Sequence, residues 1–273
     1  MSDASSADEV PRPQHLIVTV FGMYARARSG TLAISELISL MSTLGVDAGA
    51  VRSSVSRMKR RGVLVSTRKD GAAAYRLSDS LEEVFRAGDR RIFGQERAAL
   101  DDPWLLASFS VPERERPVRH QLRTLLMRLG FGQVSGGLWI APGIIVEESR
   151  SSLARAELTG YVDLFLGNCI SDEPLELAVR KWWDLAALET HYRAFVETNS
   201  AAADRPGSDR DAFSAYTTAI TQWRRLPYLD PGIPIELLPA GWAGIEAETL
   251  FATLRERLGE PAERFVDSQL ISV

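Results

Sequence analysis

The residues in this chain best placed to do chemistry are cations. The stretch VRSSVSRMKRRGVL, residues 51–64, gathers Arg52, Arg57, Lys59, Arg60 and Arg61 just before an apolar Val-Leu-Val, in a chain whose formal charge is −4. Guanidinium and ammonium groups at this density suit a polyanion, because each phosphate they neutralise releases condensed counterions. The surrounding segment, residues 10–78, holds eleven Lys and Arg against three acids, a net +8, so the rest of the chain carries −12. A basic module joined to an acidic one predicts a polyanion-binding head on a body with a different task.

The other reactive side chains form no constellation. His15, His120 and His191 stand alone, without Asp, Glu or Cys partners at metal-ligand spacing. Cys169, the one cysteine, lies in the apolar run YVDLFLGNCI and reads as a small buried hydrophobe rather than a nucleophile. No G-x-S-x-G, phosphate loop or dinucleotide fingerprint occurs, and GFGQVSGG precedes a strand instead of opening a helix. The expectation is a non-enzyme with no catalytic residue, metal or cofactor. No run approaches the roughly 18 apolar residues of a membrane span. With a polar, acidic N-terminus, read as a disordered leader over residues 1–13, this predicts a cytoplasmic protein without a membrane partner.

The cations need elements to aim them. Residues 14–28, QHLIVTVFGMYARAR, are apolar enough for a buried helix, although Ile17, Val18, Thr19 and Val20 would also suit a strand. TLAISELISLMSTLG, residues 31–45, spaces its apolar side chains by three and four and ends at Gly45, which predicts an amphipathic helix with a stop. Asp47 then stands where an N-cap should. On the helix that follows, Val51, Val55 and Met58 make one apolar stripe. Gly49, Ser53, Ser56, Arg57 and Arg60 fall on the far side, with Arg52, Lys59 and Arg61 on the flanks. Two helices joined by a tight turn, the second small and basic outside, predict a helix-turn-helix whose Ser and Gly let it sink into a major groove. Strands at 63–67 and 73–77 around Arg68-Lys69-Asp70-Gly71 predict a basic hairpin, the wing, with Arg68 and Lys69 along phosphates.

Several strings resemble the PaaX-type transcriptional regulators, bacterial repressors of phenylacetic-acid catabolism. They are LIVTVFGMYARARSG, LGVDAGAVRSSVSRMKRRGVL, YRLSDS, RLGFGQVSGGLWIAP and WRRLPYLDPGIPIELLPAGWAG, in this order over nearly the whole chain. The resemblance implies an N-terminal winged helix, a central ferredoxin-like domain and a C-terminal helical domain. It also implies homodimerisation and release from a double-stranded DNA operator by an aryl- or acyl-CoA, phenylacetyl-CoA in the founding case.

The body itself is read as follows. Residues 81–99 fit a connecting helix ending near Gly94. WLLASFSV, a helix from about 115 to 129, FGQVSG, GLWIAP, a helix around 147–158 and YVDLFLGNC give β-α-β-β-α-β, the split βαβ of ferredoxin-like domains. Such a domain resembles small CRISPR-associated metal-dependent nucleases, but Ser108 and Ser110 occupy the strand end where those place an aspartate. A single helical pattern runs from Pro174 to about 197, a loop covers 198–211, and a helix follows to about 226. Residues 227–239 are irregular, and two helices, 243–258 and 261–270, close the chain. The fold class expected is therefore α+β and multidomain: winged helix-turn-helix 14–80, linker 81–101, ferredoxin-like and dimerising 102–172, helical and regulatory 173–273. Trp183, Trp223, Arg224, Arg225 and Tyr228 are the candidate effector residues, pairing cations for phosphates with aromatics for stacking. The alternatives are a metal-dependent nucleic-acid-processing enzyme and a DNA-binding protein without an effector.

Overall fold

The computed structural model describes residues 11–94, 96–170, 172–204 and 207–271. The chain is mixed α+β, with two small antiparallel sheets among many helices, and its contacts divide it into two compact units. The first unit takes residues 1–90, 191–224 and 243–273; the second takes 91–190 and 225–242. Most of the segment expected to be a leader, residues 1–10, lies outside the described residues.

In the first unit, α1 (Pro13–Val20) opens with proline at its first turn, where a missing N–H costs nothing. It continues as a π-turn, Phe21–Ala25, rather than as a regular helix to residue 28. Gly22 in that turn lies so close to the Phe85 ring that a Cβ would sit 2.9 Å from it. Residues 31–33, expected as the start of a helix, form a strand instead: β1 (Thr31–Ala33) pairs antiparallel with β3 (Ala72–Leu77). The helix, α2 (Ile34–Thr43), starts only after that pairing is complete. α3 (Ala48–Arg60) and β2 (Leu64–Lys69) follow, and the sheet order is β1-β3-β2. After the hairpin, α4 (Glu82–Phe93) occupies the segment expected as the connecting helix.

The same unit is completed from far along the chain. α8 (Leu185–Asp204) continues through most of the segment expected as a loop, because Asn199 is buried and its amide donates to Phe195 O and Gln222 Oε1, each at 2.8 Å. Residues 205–206 of that loop lie outside the described residues. α9 (Asp209–Trp223) packs on α11 (Ala243–Ile271) and on α1. Two buried hydroxyl contacts join α9 to the N-terminal segment: Tyr24 Oη with Thr217 Oγ1 at 3.0 Å, and Thr221 Oγ1 donating to Thr19 Oγ1 at 2.8 Å. Burial raises the Tyr24 pKa, so this phenol stays protonated. One helix replaces the two expected after residue 243. Ala247, Leu254, Ala262 and Val266 are all buried, so the packed stripe runs straight past Pro261 and outweighs the one hydrogen bond the proline removes.

The second unit is built on the sheet β5-β6-β4-β7, formed by β4 (Trp104–Phe109), β5 (Gly132–Gln133), β6 (Leu138–Pro142) and β7 (Val162–Gly167), all pairs antiparallel. α5 (Arg116–Leu129) and α6 (Val146–Arg155) intervene, so the element order β-α-β-β-α-β is present. Alternate residues of β4, Leu105, Ala107 and Phe109, face a core shared with Leu122 and Leu126 of α5, Trp139 of β6 and Leu153 of α6. Gly137 ends the β5–β6 loop because any Cβ there would meet Phe109 O at 2.6 Å. Cys169, expected to be buried, is only half-buried, since β7 has already ended at Gly167.

α7 (Leu175–Trp182) and α8 are separate helices where one was expected. Trp183 is extended (φ −123°, ψ 144°), its indole N–H donates to Gly130 O at 2.9 Å, and Asp184 Oδ1 accepts from Ala187 N, restarting the helix. The segment after α9 is mostly irregular, as expected, apart from the single turn α10 (Leu226–Leu229) and a 3-10 turn at Ile235–Leu237.

Candidate nucleic-acid interface

α3 is held by its ends and by one face. Asp47 Oδ1 accepts from Gly49 N at 2.8 Å and Ala50 N at 3.0 Å, which is the N-cap expected from sequence. Gly45, at φ +76°, turns the chain between α2 and α3. Val51, Val55 and Met58 are buried together with Ser54. Arg52, Ser53, Ser56, Arg57, Lys59, Arg60 and Arg61 are all exposed, so the helix and its C-cap residue Arg61 together present five cations and two hydroxyls on the open side. Arg57, Lys59 and Arg60 also lie in its last turn, where they oppose the negative end of the helix dipole.

These cations are not equivalent. The Arg57 guanidinium folds back on its own helix, donating to Ser53 Oγ at 2.6 Å and Ser54 Oγ at 3.0 Å. Lys59 sits over the Tyr75 ring, 5.9 Å from its centroid, which ties α3 to the hairpin. The side chains of Arg52, Arg60 and Arg61 make no hydrogen bond or ion pair among the described residues.

The hairpin is longer than sequence patterning suggested. β2 and β3 pair out to Lys69↔Ala72, which puts Arg68 and Lys69 in the strand and leaves Asp70-Gly71 as a two-residue turn. Both turn residues have positive φ, 51° and 80°, the requirement of a type I′ turn. The strand's alternation then separates the two cations. Arg68 is exposed and reaches only Gly71 O, at 3.5 Å. Lys69 turns to the other face and pairs with Glu36 of α2, Nζ to Oε1 2.6 Å, where the Glu36 side chain is 3% exposed. The second Glu36 oxygen accepts from Ala33 N at 2.7 Å.

Lys69→Met is therefore expected to lower stability by about 2 kcal/mol, because it leaves a buried carboxylate with one partner in place of two. Urea unfolding of Lys69→Met beside Arg68→Met checks this. Equal, small losses in both would show that the pair contributes nothing.

The candidate effector residues do not fall in one unit. Trp223, 1% exposed, stacks on Phe251 (4.6 Å between centroids, 14° between planes) and packs against Phe195 and Tyr192, inside the first unit. Arg224 of the same unit donates to His15 O at 3.3 Å. Arg225, Tyr228 and Trp183 belong to the second unit, where Arg225 is exposed and the Arg91 guanidinium lies 4.9 Å from the Tyr228 ring centroid. Trp183 lines a cavity of about 520 Å3 with Arg180, Lys181, Trp182 and Leu185. The cavity's second cation, Lys181, is engaged by Glu173 at 2.7 Å, while Arg180 is exposed and has no ion pair among the described residues. Sequence reasoning did not single out Arg180 and Lys181, although their adjacency to two tryptophans in RKWW is a signal that could have found them. Among the described residues there is no group of three or more His, Cys, Asp or Glu able to hold a metal ion, and no helix long and apolar enough to cross a membrane.

A capped basic helix backed by a basic hairpin, carried on a larger α+β chain, is the class these observations define. Residues 12–81 match the PaaX-like protein family, residues 97–198 the PaaX protein central Cas2-like domain, and residues 183–268 the PaaX-like protein C-terminal domain. The chain belongs to the PaaX family of transcriptional regulators. It is 26% identical over 264 residues to the transcriptional repressor PaaX of Escherichia coli (strain K12), covering 93% of this chain and 83% of that one. This relationship groups it with repressors rather than with enzymes. In fold it is similar to the uncharacterized protein Rv0674 from Mycobacterium tuberculosis, with a TM-score of 0.63 at 22% identity, over 96% of this chain and all of that one.

Proposed function

We propose that this protein is a cytoplasmic, homodimeric repressor that binds a double-stranded DNA operator and leaves it when it binds an aryl- or acyl-CoA, phenylacetyl-CoA being the first compound to try. The observation that carries the reading is the open face of α3, which concentrates Arg52, Arg57, Lys59, Arg60 and Arg61 around Ser53 and Ser56. In this reading α2 and α3 form a helix-turn-helix, α3 enters the major groove, and the β2–β3 hairpin is the wing. Arg68 tracks a phosphate, whereas Lys69 holds the wing to α2. Arg68→Ala then lowers the salt dependence of binding by about one counterion, with similar losses on all sequences. The β-α-β-β-α-β sheet is read as a ferredoxin-like domain, and the chain's likeness to a repressor supports repression, in this reading of a catabolic operon.

Support for an acyl-CoA comes from the Trp183 cavity. Its volume suits a small ligand, two tryptophans offer stacking faces for an adenine or aryl ring, and Arg180 is available to a phosphate. Support for a dimer comes from β7, an outer strand of its sheet, on which Phe165 and Leu166 are 57% and 54% exposed. A Phe165→Lys, Leu166→Glu variant is expected to shift the full-length protein from dimer to monomer in light scattering. A dimer unchanged by both substitutions would place the interface elsewhere.

The test of the function is a gel shift on the DNA upstream of the protein's own gene, repeated with a panel of acyl-CoAs. A shifted band released by one acyl-CoA, and less readily in Arg180→Ala, is the expected result. A band that no acyl-CoA releases would refute the effector, and cleavage of the DNA that a chelator abolishes would favour a nuclease.

A further inference from the structure

A second cavity, of about 590 Å3, lies within the first unit and is lined from α2, α3, α9 and α11. Two guanidiniums line it, Arg52 of α3 and Arg210 of the first turn of α9. Hydroxyls of Ser35 and Ser42 and the apolar side chains of Ile38 and Phe265 also line it, with Thr43, whose hydroxyl donates to Ser39 O. Ser39 and Gln269, at the same wall, already satisfy each other through a 2.8 Å hydrogen bond.

Several carboxylates elsewhere in this unit are matched to other arginines. Arg26 is paired with Glu82 and Asp89, Arg28 with Asp267, and Arg76 with Asp79. The acids flanking Arg210 are also engaged: Asp209 through both oxygens with Arg264, at 2.9 and 3.1 Å, and Asp211 as acceptor from the Ser208 N–H and hydroxyl. Asp211 feels the charge of Arg210, yet its carboxylate is turned to capping α9. The guanidiniums of Arg52 and Arg210 are thus left facing one cavity, on residues that are both exposed, and neither makes a hydrogen bond or ion pair among the described residues. Two such cations beside free hydroxyls form an acceptor for an oxyanion, and the neighbouring apolar wall suits a body attached to it.

We propose that this cavity binds a small organic anion, with its carboxylate or phosphate monoester on Arg52 and Arg210 and its apolar part against Ile38 and Phe265. Arg52 also belongs to the cationic face of α3. An anion that holds it in the cavity withdraws one charge from DNA, so ligand and DNA weaken each other by the same factor. This coupling rests on the DNA-binding reading above; the binding itself does not, and the two are measured separately.

Calorimetric titration of the full-length protein, without DNA, uses benzoate, phenyl phosphate and inorganic phosphate as probes. Saturable binding of benzoate or phenyl phosphate, tighter than inorganic phosphate and about tenfold or more weaker in Arg52→Gln and in Arg210→Gln, is the expected outcome. The preferred probe identifies the anionic group. Absence of saturable binding by all three probes, equal affinity in Arg210→Gln, or inorganic phosphate binding as tightly as the aromatic probes would each overturn the proposal. In a DNA-binding assay the preferred probe at saturation weakens wild type but not Arg210→Gln, which without probe binds DNA as wild type does. Loss of DNA affinity in Arg210→Gln alone would assign Arg210 to the DNA backbone and sink the small-anion site. Probe binding by a protein with no affinity for any DNA would support the site while refuting the DNA reading.

Discussion

Trp223→Ala is expected to lower the stability of the first unit by about 3–5 kcal/mol, the range for truncating a fully buried large aromatic. The indole is enclosed by Phe251, Phe195 and Tyr192, from α11 and α8, so its removal opens a cavity where three helices meet. Collapse of the site would require α9 to shift, and α9 is tied to α1 by the Thr221–Thr19 hydroxyl contact and to the π-turn after α1 by the Thr217–Tyr24 contact. The expected consequence is an earlier urea midpoint by far-UV circular dichroism, with weakened DNA binding following from lost structure. A loss below about 1 kcal/mol would show that the site tolerates the vacancy and would return Trp223 to consideration as a ligand contact.

The second large effect is on DNA. Arg60→Ala is expected to cost about 1–3 kcal/mol of operator binding if the guanidinium reads a base edge. Arg57→Ala is expected to cost less, because the free protein's Arg57 must first give up its bonds to Ser53 and Ser54, worth about 1 kcal/mol together with their geometry. Fluorescence anisotropy on the operator and on scrambled DNA separates the two cases. A base reader loses discrimination between the sequences; a phosphate contact loses affinity for both alike. Unchanged operator affinity in Arg60→Ala at physiological salt would remove this residue from the interface.

What the sequence revealed most reliably was chemistry that acts over a few residues. The Asp47 cap, the Gly45 turn, the Val51-Val55-Met58 stripe and the Asp70-Gly71 turn each follow from local hydrogen bonding or backbone preference, and all are present in the structure. The departures depend on distant partners. Thr31–Ala33 is a strand because β3 lies beside it, about forty residues later, and no propensity of Thr-Leu-Ala announces that. Lys69 looked like one of two equal wing cations. Its pairing with Glu36, 33 residues away, appears only once the strand's register fixes which face each side chain takes. Asn199 reads as a loop residue until the amide acceptor supplied by Gln222 extends α8 past it. Pro261 reads as a helix end until burial on both sides of it is known. The same limit governs the effector residues. QWRRLPY is the densest union of Arg with aromatics outside the basic head, but Trp223 enters a core and the chain passes between units directly after Arg224.

The central claim is that α3 reads a specific sequence. Footprinting of the DNA upstream of the protein's own gene, with excess nonspecific competitor at physiological salt, tests it most directly. The account predicts discrete protection, with at least about 10³-fold preference over competitor, lost in the Arg57→Ala, Arg60→Ala double variant. Uniform protection removed by competitor, or an unchanged footprint in the double variant, would contradict it.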